Sequence, residues 1–263
     1  MFKNRIIISA ISFIFSSCVS NMATRAPFVP LFDKQGEMSV KAAVTPHSVQ
    51  GDIKVAAMEN IAFGINGNYS SKMISDLFSS EQNYNGNLDR SNNFLGTELG
   101  YFNHFRNIYF DGFGGWGKGR SKYYDNIDYS GSSTLNSNFE QFSFQLDVAK
   151  KNIYITKRNA LWIYYAYGLS AYYEYNIVDV DWQISPSTYE SKKHFIGENF
   201  GLNFFYRVGV QKVQVEFAAG FRYPKSDVEY RNISLYSEEN VHFSLGFSFL
   251  IEALIKKKSK NTD

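Results

Sequence analysis

The stretch Val213-Gln214-Val215-Glu216-Phe217-Ala218-Ala219-Gly220-Phe221-Arg222 decides the fold. In an extended chain, successive side chains point to opposite faces. Val213, Val215, Phe217, Ala219 and Phe221 therefore share one face, and Gln214, Glu216, Gly220 and Arg222 share the other. Alternation of period two predicts a β-strand with one apolar face.

The pattern extends in both directions from this stretch. Ten strands are predicted, at about 37–45, 49–57, 61–71, 92–104, 107–120, 137–150, 159–177, 194–207, 210–224 and 240–251. Phe142, Phe144, Leu146 and Val148 alternate with Gln141, Ser143, Gln145 and Asp147. Phe200, Leu202, Phe204 and Tyr206 alternate with Asn199, Gly201, Asn203 and Arg207. No segment reads as an amphipathic helix.

The direction of the apolar face separates two kinds of protein. A soluble barrel turns it inward, whereas a membrane barrel turns it toward lipid and fills its lumen with the polar face. Three features predict the second. The strands run to about ten residues or more, the length of a tilted bilayer span, against about five or six in soluble sheets. The polar face mixes charges with many glycines (Gly64, Gly96, Gly100, Gly168, Gly201, Gly220 and Gly246 among them), as a narrow lumen requires. Tyr69, Tyr101, Trp116, Trp162, Tyr173, Tyr206 and Tyr223 gather near strand ends, where membrane proteins carry aromatic girdles. The expected fold is an all-β, antiparallel up-and-down transmembrane β-barrel of about ten strands, spanning 36–252.

Composition agrees. The chain of 263 residues is 17% aromatic, with 24 Phe and 19 Tyr, yet its mean hydropathy is −0.30. That average excludes a bundle of membrane helices. It arises naturally if half of each strand serves lipid and half a polar lumen. Aromatics this dense exclude disorder, the single Cys excludes a disulfide scaffold, and a net charge of +2 gives no reason to expect nucleic acid.

The connections alternate in length. Those after the second, fourth, sixth and eighth strands are short. Those after the third, fifth, seventh and ninth are expected to be long, roughly fifteen to twenty residues, and rich in Ser, Asn, Tyr and Asp. Short periplasmic turns and long extracellular loops would produce this asymmetry, with both termini in the periplasm. The loop aromatics Tyr84, Tyr124, Trp182, Tyr189 and Tyr236 are the candidate surface for an extracellular ligand, because Tyr and Trp make contact area at low entropic cost.

The beginning of the chain reads as an address. Met1-Phe2-Lys3-Asn4-Arg5, an apolar run from Ile6 to Phe15, and Ser16-Ser17 before Cys18 have the form of a signal peptide over 1–17. Phe15-Ser16-Ser17-Cys18 resembles a lipobox with Cys18 as the acylated residue. Residues 18–35 contain Pro27 and Pro30 and no periodicity, and are expected to be an extended periplasmic tether. Residues 253–263, with Lys256-Lys257-Lys258, are expected to be a basic periplasmic tail.

Together Cys18, Pro27-Phe28-Val29-Pro30-Leu31-Phe32 before Gly36-Glu37, and the ten-strand pattern resemble the outer-membrane β-barrel (lipo)protein family of Bacteroidota. The resemblance covers nearly the whole chain. It implies architecture and location and carries no activity over.

The expected lumen network is Lys41, Lys54, Glu98, Asp111, Asp147, Glu174, Arg207, Glu216 and Arg222, nearly balanced in sign. Buried charges need partners, and a barrel this small is filled by side chains, so the network is expected to close the lumen rather than form a channel. His242-Phe243-Ser244 puts a His and a Ser on one face and is similar to the His-x-Ser element of outer-membrane lipid A deacylases. The competing reading is two polar lumen residues. Metals and cofactors are not indicated, and no enzyme activity is expected. The membrane itself is the expected partner. The rival architecture is a lipid-tethered soluble periplasmic barrel that binds an apolar ligand. It requires Leu99, Phe144, Leu202, Phe217 and Phe247 to point inward.

Overall fold

A computed structural model gives the fold and describes residues 27–45, 48–71, 89–127, 131–155, 162–185, 189–210, 212–224, 229–230, 233–234 and 241–252. The strands are β1 (Glu37–Val44), β2 (Val49–Ala56), β3 (Ile61–Ser71), β4 (Asp89–Phe105), β5 (Ile108–Ile127), β6 (Gly131–Ile155), β7 (Trp162–Ser185), β8 (Tyr189–Val210), β9 (Val213–Pro224), β10 (Glu229–Tyr230), β11 (Ile233–Ser234) and β12 (Val241–Glu252). Ten of them close a barrel in the order β1-β12-β9-β8-β7-β6-β5-β4-β3-β2, while β10 and β11 pair with each other. The barrel is antiparallel, and the seam is the β1–β12 ladder from Glu37↔Glu252 to Val44↔Leu245. The signal-peptide region, Cys18 and the basic tail lie outside the described residues.

The apolar faces point outward. Leu99, Phe144, Phe217 and Phe247 are each about half exposed, and Leu202, on the same outer face, is intermediate. The soluble reading with an inward apolar face is therefore excluded. Tyr101 and Tyr206 lie outside near the end with short turns, and Tyr69 and Tyr223 near the other end. On β3, Ile61 pairs with Tyr101 and lies eight residues from Tyr69. That is about 27 Å along a strand, or about 20 Å across the membrane at a 40° tilt, close to the apolar band of such barrels. Trp162 begins β7, and its side chain lies outside the described residues.

The wall is taller on one side than the sequence predicts. β6 is expected at 137–150 and runs from Gly131 to Ile155; β7 is expected at 159–177 and runs from Trp162 to Ser185. The long loops expected after the fifth and seventh strands are thus mostly strand, with 128–130 and 186–188 outside the described residues. Tyr124, Trp182 and Tyr189 are strand residues of β5, β7 and β8 rather than loop residues. Tyr84 and Tyr236 lie outside the described residues. The physical reason is that apolar alternation marks only the part of a strand that meets lipid. Beyond the bilayer the ladder continues on backbone hydrogen bonds, as in Asn136↔Asp181, with no requirement for apolar side chains.

Lumen glycines are sites of close approach. A Cβ on Gly100 would collide with the Phe113 ring, and one on Gly201 with the Tyr172 ring. Each aromatic ring occupies the space left free by its ladder-partner glycine on the neighbouring strand. This lets large rings fit inside a barrel of ten strands.

The lumen also holds a piece of main chain. Phe28, Val29, Leu31 and Phe32 are buried, with Phe28 and Phe32 at 0% exposure. Val29 and Leu31 pack with Tyr109, Ala149, Ala166, Phe205 and Ala218; Phe32 packs with Ala56, Ala62, Phe102 and Phe113. Leu31 has a left-handed backbone (φ 57°), uncommon for a residue with a Cβ. This turn sends Leu31 and Phe32 to separate clusters. Residues 27–32, expected from their lack of periodicity to be part of an extended periplasmic tether, are instead buried among lumen side chains. A free tether has no use for four large apolar side chains, and here each of them is packed.

Candidate functional site

The site is the lumen around Pro27, Phe28 and Val29. Pro27 and Pro30 dictate its local form. Proline fixes φ and restricts the residue before it to extended conformations, which favours a chain without internal hydrogen bonds whose carbonyls radiate outward. Those carbonyls reach different walls. Lys41 Nζ on β1 donates to the Pro27 carbonyl (3.3 Å), Lys54 Nζ on β2 to that of Phe28 (2.7 Å), and Arg207 on β8 to that of Val29 (2.8 Å). Gln145 Nε2 on β6 also donates to the Phe28 carbonyl (3.3 Å). The Phe28 ring has the Lys41 ammonium at 5.6 Å, the Lys54 ammonium at 5.7 Å and the Arg207 guanidinium at 5.5 Å from its centroid. Cations over an aromatic face are attracted by its quadrupole, most strongly when water is excluded.

Each cation is held by an acid. Glu216 on β9 takes Lys41 (2.6 Å) and Arg207, whose Nε donates at 2.9 Å. Glu98 on β4 takes Lys54 at 3.1 Å. Lys54 also stands 3.6 Å above the Phe113 ring. Farther along, Arg222 pairs with Glu174 at 2.8 Å. Asp111 and Asp147 face each other across β5 and β6, and Gln145 donates to Asp147 at 2.7 Å. At the short-turn end Asp33 accepts from Lys151 (2.6 Å) and Tyr109.

All nine charged residues of the predicted network are buried inside the barrel. They form three groups, Lys41–Glu216–Arg207, Lys54–Glu98 and Arg222–Glu174, plus the Asp111–Asp147 pair. Sequence reasoning missed what Lys41, Lys54 and Arg207 hold in common, the carbonyls of residues 27–29. The available signal was Pro27-Phe28-Val29-Pro30-Leu31-Phe32 itself, too apolar for a solvated tether. It also missed Gln145 as a carbonyl donor and Tyr172 as a lumen filler.

His242 and Ser244 are both buried on the inner face. Among the described residues, neither ring nitrogen of His242 has a hydrogen-bond partner, and the ring meets Tyr172 edge-on at 6.4 Å. Glu216, an inward-facing acid on the neighbouring strand β9, is committed to Lys41 and Arg207. The arrangement does not activate Ser244 as a nucleophile, which requires a base within hydrogen-bond reach. What the geometry can do is bind an extended apolar peptide through its carbonyls and exclude water from the core.

No family model matches the chain, and no curated protein matches it either. Among solved structures it is similar to the translocator domain of the autotransporter NalP from Neisseria meningitidis (9% identity, TM-score 0.44), covering 81% of this chain and 86% of that one. It is also similar to a major outer membrane protein from Thermus thermophilus (10% identity, TM-score 0.36, 82% and 98% covered) and to LpxR from Salmonella typhimurium (9% identity, TM-score 0.36, 81% and 99% covered). The chain's own strand pairing makes it an all-β closed antiparallel barrel.

Proposed function

We propose that the protein is a bacterial outer-membrane barrel, acylated at Cys18, with a structural or surface-interaction role, no catalysis, and a lumen closed by its own segment Pro27–Asp33. The observation that carries this reading is the set of three successive carbonyls taken by Lys41, Lys54 and Arg207 inside an outward-apolar wall. The short-turn end, where Glu37 and Glu252 meet, faces the periplasm, and the tall wall of β5–β8 rises outside the cell. The wall that carries Tyr124, Trp182 and Tyr189 supplies the contact surface for an extracellular ligand.

Single-channel recording in planar bilayers tests the closure. The full chain is expected to be silent, and a chain lacking residues 27–32 is expected to conduct. Steady conductance by the full chain would overturn the closed-lumen reading. Mass spectrometry of the mature N-terminus tests acylation, with a diacylated or triacylated Cys18 as the expected species.

A further inference from the structure

The outward face of β5 changes character at one residue. From the short-turn end its outward side chains are Ile108, Phe110, Gly112, Gly114 and Trp116, and then Lys118, Arg120 and Lys122. Ile108 to Trp116 spans about 27 Å of strand, the same rise as Ile61 to Tyr69 on β3. The cations follow at once, and all are exposed. Side chains two apart on a strand share a face, so Lys118, Arg120 and Lys122 stand in file, about 14 Å from the first Cα to the last. The Lys118 ammonium lies 5.3 Å from the centroid of the Trp116 ring, and Trp is a side chain that settles between lipid tails and headgroups.

Two features of this face point to a lipid. The first is charge. Glu140 on β6 pairs with Lys118 at 2.6 Å, but Arg120 and Lys122 make no ion pair among the described residues. Their ladder partners are uncharged: Asn93 and Asn138 flank Arg120, and Ser91 and Asn136 flank Lys122. Asn93 Oδ1 accepts from the Arg120 backbone N–H at 3.2 Å, which leaves the Asn93 amide nitrogen as a further donor. The other described acids of this face, Asp179 and Asp181 on β7 and Glu198 on β8, stand two strands away or more, and Asp179 pairs with His194 at 2.9 Å. The second is shape. Directly below Trp116, Gly112 and Gly114 leave two successive outward positions without a side chain, and a Cβ on Gly114 would meet nothing within 4 Å. Leu99 and Phe144 stand on either side of Gly114, and Tyr101 and Leu146 on either side of Gly112, all exposed. The result is an apolar furrow that runs up β5 to the cations.

We propose that the outer wall at β4–β6 is a lipid-binding site: Lys118, Arg120 and Lys122 take the phosphates of an anionic glycolipid headgroup, and the furrow over Gly112 and Gly114 seats one of its acyl chains. The proposal rests on the orientation given above, which puts this headgroup level in the outer leaflet. Arg120 and Lys122, with no acid beside them, carry the larger share of the phosphate contact, Arg120 as a bidentate fork and Lys122 as a point charge. A basic cluster at a membrane surface draws anionic lipid, and the furrow below it adds apolar contact that a free anion cannot make.

The test titrates the purified full chain in mild detergent with bisphosphorylated lipid A and reads bound lipid by native mass spectrometry. The unsubstituted chain is expected to retain the lipid, and retention is expected to fall at least about tenfold when Lys118→Gln, Arg120→Gln and Lys122→Gln are combined. Lys118→Arg with Lys122→Arg keeps the charge and should keep the lipid. Equal retention by the glutamine variant, or equal retention of the same lipid stripped of its phosphates, overturns the phosphate assignment. Displacement of the lipid by millimolar inorganic phosphate overturns the lipid as the source. Gly114→Leu fills the furrow and leaves the cations in place; weaker retention is expected, and unchanged retention overturns the acyl-chain seat. Orientation is read separately on cells. Gln183→Cys, exposed on β7, is expected to react with a membrane-impermeant maleimide on intact cells above the background of the unsubstituted chain. Reaction only after permeabilisation means that the orientation fails, and the outer leaflet with it, whatever the lipid titration gives.

Discussion

Phe28 and Phe247 belong to the same barrel and live in opposite solvents. Phe28 is fully buried among three cations and the carbonyls of its own segment, while Phe247 stands half exposed on the outer face of β12. In a soluble protein the first would be core and the second a liability. Here the interior is packed and polar, like a soluble core with charges in it, and the outside is the part that merely matches a fluid. A cavity left inside keeps its shape, whereas a gap left outside is filled by lipid chains. The same substitution should therefore cost different amounts in the two places.

The largest effect is expected at Glu216. Among the described residues it is the acid that Lys41 and Arg207 share, and Glu216→Ala leaves two buried cations without that counter-charge. A loss of about 3–5 kcal/mol is expected, read from urea unfolding of the barrel in phospholipid vesicles. An effect below about 1 kcal/mol would mean that water enters the lumen freely. Phe28→Ala follows, at about 3–5 kcal/mol from lost transfer energy plus a cavity. Phe247→Ala should lose only the transfer part, about 2 kcal/mol. Equal costs for the two phenylalanines would break the contrast between rigid inside and fluid outside. Next come the glycines. Gly201→Ala drives a methyl into the Tyr172 ring and should cost about 1–3 kcal/mol, whereas Gly114→Ala, with nothing within 4 Å of its Cβ, should leave the unfolding midpoint unchanged.

The smallest effect is expected on the outer wall, at the exposed pair Lys118–Glu140 (2.6 Å). Because the pair is open to water and salt, Lys118→Gln should not shift the unfolding midpoint measurably between about pH 7 and about pH 4. A clear shift would show that the outer wall carries more of the stability than the lumen contrast allows.

The same contrast decides what can be read from the sequence. The belt was legible because lipid on one side and a filled lumen on the other impose a strict period of two: Val213, Val215 and Phe217 point out, and Glu216 and Arg222 point in. The upper halves of β6 and β7 were not legible. Asn136 and Asp181 are ladder partners without an apolar face, and Ser- and Asn-rich sequence reads as loop. The lumen charges could be assigned to the inner face by parity, but their pairing could not. Lys41 and Glu216 meet across the β1–β12 seam side of a closed barrel, and closure is invisible to local pattern. Residues 27–33 were the hardest, since a chain held by its carbonyls writes almost nothing of its role in its side chains. Only the concentration of Phe, Val and Leu around two prolines distinguishes it from a linker.

The position of that segment also sets an order of assembly. Its carbonyls are held by β1, β2, β6 and β8 at once, with contacts reaching 117 residues along the chain to Gln145 and 178 to Arg207. Contacts of such sequence separation form late. Yet the segment is followed, after one glycine with φ 86° at Gly36, by the strand that seals the seam with β12. Phe28 is fully buried beside Lys41, Lys54 and Arg207, so laying this first-made part of the barrel into an open, curved sheet before β1 and β12 zip together spares it from being threaded into a closed cylinder. It then serves as the form around which the cylinder closes.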